Sequence, residues 1–335
     1  MHILPNDYLF RLFTLFESST RFAEPNQITM AYVATVIALN QGLTDAFTEK
    51  FENLLRSEGI TTLRLEYLKP GAVVDYYLDV ESIRFNEIKN AFFEFSNAHG
   101  VDIVLQKAND DRKNKGLFVF DMDSTLIQQE VIDMIAAYAN VEPEVSKITE
   151  AAMNGEIDFN ESLKQRVALL KGIPSTVFED LKTKITFTPG ARNLTRVLRS
   201  LGVKTAVLSG GFIPLANWVK GELGLDYAYA NNLELTEDGT ELTGRTYGTV
   251  VNNVVKGELL QEIAQKEGVP LSKVVAVGDG SNDLVMMGIA GFGVAFNAKP
   301  VVQKKAPSRI NTPSLETILY ILGYNEKDQE KLLSA

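Results

Sequence analysis

Two aspartates one residue apart, Asp121 and Asp123, follow directly on the apolar run Leu-Phe-Val-Phe, with Thr125 two positions further on. Side chains two apart in an extended segment point to the same side, so both carboxylates face one region. They repel there unless a cation or a shared proton separates them. Three more polar groups call for an account. Ser209-Gly210-Gly211, after Ala-Val-Leu, offers a hydroxyl and backbone amides with no side chains in the way. Such backbone can approach a phosphate closely, although a Gly-Gly pair after a strand also makes an ordinary turn. Gly278-Asp279-Gly280-Ser281-Asn282-Asp283 adds two carboxylates. These are hard oxygen ligands suited to Mg²⁺; the alternative is that Asp283 merely helps cap a helix over Asn282–Gly288, but paired with Asp121 on a neighbouring strand the metal reading is preferred. Lys256 stands where a helix opens, before Gly257-Glu258. A cation there costs roughly 0.3–1 kcal/mol unless an anion shares the place, and a solvated surface lysine is the alternative.

The elements that must position these groups are short apolar runs separated by helical stretches: Leu117–Phe120, Thr205–Leu208, Val274–Val277 and Gly291–Phe296. That pattern predicts an α/β fold with a parallel sheet buried on both faces. The polar groups then lie just past the C-terminal ends of its strands, where open α/β sheets bind ligands. From Val131 to Leu201 no convincing strand occurs, and breaks at Pro143, Gly155, Pro174 and Pro189-Gly190 suggest a helical insertion, a cap on the sheet. A second insertion, 231–250, alternates Leu233 and Leu235 around Asp238-Gly239 and reads as a β-hairpin.

The first third follows another plan. A strand over Ile28–Leu39, a helix over Thr44–Gly59, a hairpin around Pro70-Gly71, a helix over Phe85–Gly100 and a strand over Val101–Leu105 give the order β-α-β-β-α-β. This is the ferredoxin-like arrangement, an α+β unit, and it resembles ACT-type regulatory domains in pattern only. In the hairpin, Leu63, Leu65 and Tyr67 alternate with Arg64 and Glu66, and Val74, Tyr76, Leu78 and Val80 with Asp75 and Asp79. The polar run Asn109–Lys115 has the composition of a linker. The expected division is therefore 1–108, a linker at 109–115, and 116–335. Amino-acid sensing and simple packing or dimerisation both remain open for the N-terminal unit, which leaves room for a homodimer.

Composition narrows the chemistry. The 335 residues exceed the roughly 250–300 at which single cores stop growing. There is no cysteine and there are only two histidines, His2 and His99. Thiolate nucleophiles, disulfides, histidine triads and multi-histidine metal sites are excluded, leaving Asp, Glu, Lys and Ser. A net charge of -10 argues against a nucleic-acid surface. Residues 1–28 mix charges among apolar positions and do not read as a secretory signal, and no stretch approaches the roughly 20 apolar residues needed to cross a membrane. A cytoplasmic protein is expected.

The order Asp-x-Asp-x-Thr, Ser-Gly-Gly, Lys, Gly-Asp-Gly-x-Asn-Asp is similar to that of the haloacid dehalogenase (HAD) superfamily of phosphohydrolases. From Gly116 to about Gly323 the spacing resembles its phosphoserine phosphatase branch. The resemblance implies a Rossmann-like parallel sheet with a small helical cap, and hydrolysis of L-phosphoserine at the end of serine biosynthesis. It implies Asp121 as nucleophile and Asp123 as acid, then base. Ser209 and Gly210 would hold phosphoryl oxygens, and Lys256 would neutralise phosphate and nucleophile. Mg²⁺ would take Asp121, the Asp123 backbone carbonyl and Asp279, with Asp283 and Asn282 in support. Met122, which is Phe in some members, should point away from the site.

Two charged residues bear on the substrate. Glu130 opens the helix Val131–Asn140, where the helix dipole alone would favour it. Arg166 borders the apolar stripe of the helix Asn160–Leu170, where a snorkelling arginine also fits. In the resembled family a Glu at this offset takes the substrate ammonium and a cap Arg its carboxylate, while Met153 and Phe159 match apolar residues closing over it. Alternatives are another small phosphomonoester, phosphoryl transfer to a second alcohol, or a receiver-like module that accepts phosphate without turnover.

Overall fold

The computed structural model describes residues 31–40, 42–81, 84–153 and 156–334, without the side chains of 150, 152 and 153. The calls made for residues 1–28, and the first three positions of the strand expected from Ile28, lie outside the described residues.

The N-terminal unit comprises β1 (Ala31–Ala38), α1 (Asp45–Ser57), β2 (Thr61–Lys69), β3 (Val73–Asp79), α2 (Phe85–His99) and β4 (Val101–Lys107). Its antiparallel sheet has the order β2-β3-β1-β4. Both helices cover one face, where Phe51, Phe92 and Tyr76 form an aromatic core. Thr44 starts α1 by accepting the amide of Phe47, and Gly100, left-handed at φ 62°, ends α2.

The other face of this sheet is also covered, contrary to the alternation expected for β3. Asp75 is fully buried and forms an ion pair of 2.7 Å with Arg112. Arg112 also donates to Thr35 Oγ1 (3.1 Å) and, from Nε, to the Ile321 carbonyl (2.8 Å). It belongs to the polar run expected as a linker, yet it is only 6% exposed. The run is a clasp between the sheet and the C-terminal part of the chain, because buried Asp75 needs a cation. Leu63, Leu65 and Tyr67 differ from expectation in the opposite sense, being exposed. β2 is an edge strand, and register shifts at Thr62/Arg64 and Tyr67/Lys69 break its simple alternation.

The second unit carries β5 (Leu117–Phe120), α3 (Val131–Tyr138), α4 (Glu142–Met153), α5 (Phe159–Ala168), α6 (Val177–Lys182), α7 (Ala191–Ser200), β6 (Lys204–Phe212), α8 (Ile213–Leu223), β7 (Tyr227–Leu235) and β8 (Leu242–Tyr247). It continues with α9 (Asn253–Lys266), β9 (Val274–Gly278), α10 (Leu284–Ile289), β10 (Phe292–Phe296), α11 (Pro300–Lys305), β11 (Ser308–Ile310), α12 (Thr317–Ile321) and α13 (Glu326–Ser334). Seven strands lie in the order β11-β10-β9-β5-β6-β7-β8. β5 to β7 and β9 to β11 pair in parallel, and β8 returns antiparallel on β7.

Alternation along β5 explains its unbroken apolar sequence. Phe118 and Phe120 enter the core on one face, and Leu117 and Val119 the core on the other. A strand covered on both sides has no polar position to spare. Tyr227, just before the hairpin expected from 231, already pairs in parallel with Ala206, so one strand serves both the main sheet and the hairpin. The stretch expected as one helical insertion is helical between β5 and β6, and α3, α5, α6 and α7 all contribute to the same core, α7 through Leu194, Val197 and Leu198.

Candidate active site

Asp121 directly follows β5 and caps the tight turn after it, its Oδ1 accepting the Met122 amide at 2.7 Å. In that turn Ser124 is left-handed at φ 54°, an uncommon conformation for a side-chain-bearing residue. The turn sends Met122 into the core, as expected, and leaves Asp123 in the site. Asp123 Oδ1 is buried without a hydrogen-bond partner among the described residues. Burial first, then the charges of Glu130 and Asp121, raises the Asp123 pKa well above the usual carboxylate range, against the pull of Lys256. These influences favour the protonated form of Asp123.

Lys256 is no surface lysine. It is wholly buried in α9, 2.8 Å from Asp121 Oδ1 and 2.7 Å from Asp283 Oδ1. Burial opposes its charge, but the two carboxylates outweigh this and raise its pKa. Asp121, Asp279 and Asp283 can each bring an oxygen to within 4.8 Å of the others. Desolvation and mutual repulsion push Asp279 up to about 8 and Asp283 to about 7. One lysine does not balance three carboxylates, so the cluster calls for a further cation, and its all-oxygen donor set fits Mg²⁺. Both Asp283 oxygens are already engaged, by Lys256 and by the Gly280 amide at 3.0 Å. Asp121 and Asp279 are the freer pair. Gly278 has no room for a Cβ, because the Asp283 carboxyl packs on it, and Gly280 likewise accommodates Asn282.

Ser209-Gly210-Gly211 lies inside the bounds of β6, not beyond them, at an irregularity where pairing with β7 skips from Leu208 to Phe212. Ser209 is buried, and its Oγ accepts the Gly211 amide at 2.8 Å. A Cβ on Gly210 would stand 3.1 Å from Cζ of Phe159, and one on Gly211 would stand 3.0 Å from Asp123 Oδ2. Phe159 opens α5, so the helical insertion rests directly on the glycine loop. Asn252 also donates to Asn160 Oδ1 across the same gap at 3.1 Å.

Glu130 makes no capping hydrogen bond to α3. Its Oε1 instead accepts Ser124 Oγ at 2.6 Å, and burial raises its pKa in spite of that bond. Arg166 donates from Nε to the Ser162 carbonyl at 3.3 Å and forms no ion pair among the described residues. Burial lowers its pKa while Asp133 and Glu130 pull it back up. The Met153 side chain lies outside the described residues.

Three supporting residues escaped the sequence reading. Buried Asn231 donates to the Gly210 carbonyl (2.8 Å) and accepts the Val251 amide (2.8 Å), tying the glycine loop to the far end of the hairpin. Asn252 caps α9, accepting the amides of Val254 and Val255. Its position before an apolar helix was a legible cap signal. Ser124 carried no signal, since its part depends on the turn.

A model of the haloacid dehalogenase-like hydrolases matches residues 116–291. The chain is 48% identical over 302 residues to the phosphoserine phosphatase of Saccharomyces cerevisiae, covering 89% of this chain and 97% of that one. It belongs to the haloacid dehalogenase-like hydrolases, in their phosphoserine phosphatase branch. A HAD family hydrolase from Salmonella enterica serovar Typhi superposes with TM-score 0.76 at 29% identity, over 87% of this chain and 98% of that one. A phospho-aspartyl intermediate analogue of phosphoserine phosphatase matches 62% of this chain and 99% of its own, at 46% identity and TM-score 0.58.

Proposed function

We propose that the protein hydrolyses L-phosphoserine to L-serine and phosphate through a phosphorylated Asp121. Asp121 attacks phosphorus from the end of β5 while Lys256 offsets the charge of the two anions. Asp123, whose burial favours its protonated form, gives its proton to the departing serine oxygen. The resulting carboxylate then takes a proton from the water that cleaves the aspartyl-phosphate. Ser209 and the Gly210 backbone hold phosphoryl oxygens, with Asn282 at the same rim. Asp121, Asp279 and the Asp123 backbone carbonyl would hold Mg²⁺, which supplies the positive charge that lets a carboxylate approach a phosphate dianion. Asp283 keeps Lys256 in place.

Phosphoserine also carries an ammonium and a carboxylate. The observation that carries this substrate is a chain of charges leading from the site: Glu130 acts on Asp123, and Arg166 feels the charge of Glu130, with neither Glu130 nor Arg166 ion-paired among the described residues. Arginine suits a carboxylate because its planar fork binds both oxygens. Phe159, and Met153 by its place at the end of α4, would close over the ligand. A receiver-like module would have no use for such a lid. Phosphate release from L-phosphoserine and from a panel of small phosphomonoesters, with and without Mg²⁺, tests the reading. Faster release from another ester, or Mg²⁺-independent turnover, would overturn it.

The N-terminal unit supports a homodimer. β2 is an outer strand whose Leu63, Leu65 and Tyr67 are 56%, 38% and 65% exposed, an apolar edge suited to a second copy. Sedimentation of the protein and of Leu65→Lys distinguishes a dimer through this edge from a monomer.

A further inference from the structure

At the end of the main sheet opposite Asp121, the residues leading into β5, β6 and β9 surround a cavity of about 510 Å³. Gly116, Val203 and Lys273 each stand one position before their strand, so the cavity opens at the N-terminal edge. β5 has four residues, and at about 3.3 Å per residue it separates this edge from Asp121 by on the order of 13 Å. Lys113, Lys115 and Lys273 line the cavity, and no carboxylate does. In a chain of net charge -10, three converging lysines reverse the local sign.

Carboxylates at the rim relieve part of this charge. Lys113 stands 4.0 Å from Asp328 and Lys273 3.9 Å from Asp111, both long contacts between substantially exposed groups. Lys115 forms no ion pair among the described residues, and its nearest aromatic partner, Phe292, is 5.9 Å away. Burial brings its pKa down to about 8, with Arg112 and Lys273 adding to the effect and Asp111 opposing it. Lys115 thus faces the cavity with no ion-pair partner among the described residues, Asp111 offsetting its charge only from a distance. Tyr324 and Pro270 add an aromatic and an apolar surface beside it.

We propose that this cavity is a second ligand site, separate from the catalytic one, which binds a small organic phosphate. The phosphate lies on Lys115 and Lys273, and the organic portion rests against Tyr324 and Pro270. A dianion suits more than one ammonium group, whereas a single carboxylate would leave the excess charge standing. Lys113 and Lys115 belong to the segment that carries the Arg112 clasp, and Lys273 to the catalytic unit. A bound ligand thus ties the joint between the two parts of the chain to the strands that deliver the catalytic residues.

Phenylphosphonate carries a dianion and a ring but no hydrolysable ester, so it is a suitable probe. It is titrated calorimetrically into the full chain, into Asp121→Asn and into the double variant Lys115→Gln/Lys273→Gln. Binding at this site should persist in Asp121→Asn and weaken at least tenfold in the double variant, whose turnover of L-phosphoserine should match the parent. Lys115→Arg, which preserves the charge, should retain binding and guards against a fold defect in the double variant. Hydrogen exchange should slow at 113–116 and 268–273 when the probe binds. Unchanged affinity in the double variant, or protection confined to 121–125 and 209–211, would overturn the second site. Equal affinity for inorganic phosphate would remove Tyr324 and Pro270 from it.

Discussion

Arg166→Ala separates substrate recognition from catalysis and from folding. In the free protein the guanidinium has one long hydrogen bond, 3.3 Å to the Ser162 carbonyl, and no ion pair among the described residues. Its burial costs more than its neighbours return, as the lowered pKa records. Truncation removes that one hydrogen bond and no ion pair, so it should cost no more than about 1 kcal/mol of stability. With L-phosphoserine bound, the same group meets a carboxylate, and a charge-assisted hydrogen bond contributes about 1.5–3 kcal/mol. At about 1.4 kcal/mol per decade, kcat/KM for L-phosphoserine should fall by roughly one to two decades. Phosphoethanolamine, which has the ammonium but not the carboxylate, should lose almost nothing. Steady-state kinetics on both esters and a thermal melt of the variant decide the matter. An equal loss on the two esters, or a large drop in melting temperature, would make Arg166 a support of the cap and refute the carboxylate contact.

Further outcomes are expected at the core of the site. Asp121→Asn should abolish turnover and phosphoenzyme formation with the fold intact; labelled phosphate trapped on another residue would falsify the nucleophile assignment. Ser124→Ala should raise KM for L-phosphoserine by releasing Glu130, while an ester without an ammonium, such as phosphoglycolate, is spared; an equal rise for both would assign Ser124 to the turn alone. Gly210→Ala places a Cβ 3.1 Å from Phe159 and should slow turnover by displacing the cap, with Phe159→Leu relieving the defect; additive losses in the double variant would exclude that contact. In metal-free protein Asp279 titrates near 8 instead of 3.8, so the fold holds a proton that the unfolded chain releases. Its contribution to stability is complete below about 3.8 and is lost as pH rises through about 8. Mg²⁺ affinity should rise over the upper part of the same window, and titrations at pH 6 and 8.5 that agree would contradict this.

The main sheet was legible because its central strands are covered on both faces and spell themselves as apolar runs. β11, three residues long at the edge, and the parallel start of β7 have no such signature, and their places depend on the neighbours they meet. The positions of Asp121 and Asp279 were legible for a related reason: each is a polar residue directly after a buried strand, where few structural excuses exist. For Lys256 the helix-dipole argument pointed in the right direction, but its full burial between Asp121 and Asp283 is a tertiary fact.

What sequence pattern misplaced was charge on the N-terminal sheet, and the reason extends to the whole molecule. Alternation in β3 puts Asp75 opposite Tyr76, and an isolated domain of this kind would turn that face to water. Here the face packs against the C-terminal part of the chain, so Asp75 is buried and Arg112 must follow it. Removing one partner of such a buried pair typically costs about 3–5 kcal/mol, because the other charge is left stranded. Arg112 also reaches the carbonyls of Tyr320 and Ile321, and Gln106 of β4 shares the latter at 2.8 Å. A joint built from buried, directional contacts resists the sliding that a flexible linker would allow. The catalytic strands and the N-terminal sheet are thus held in one register by the very segment whose composition suggested freedom between them.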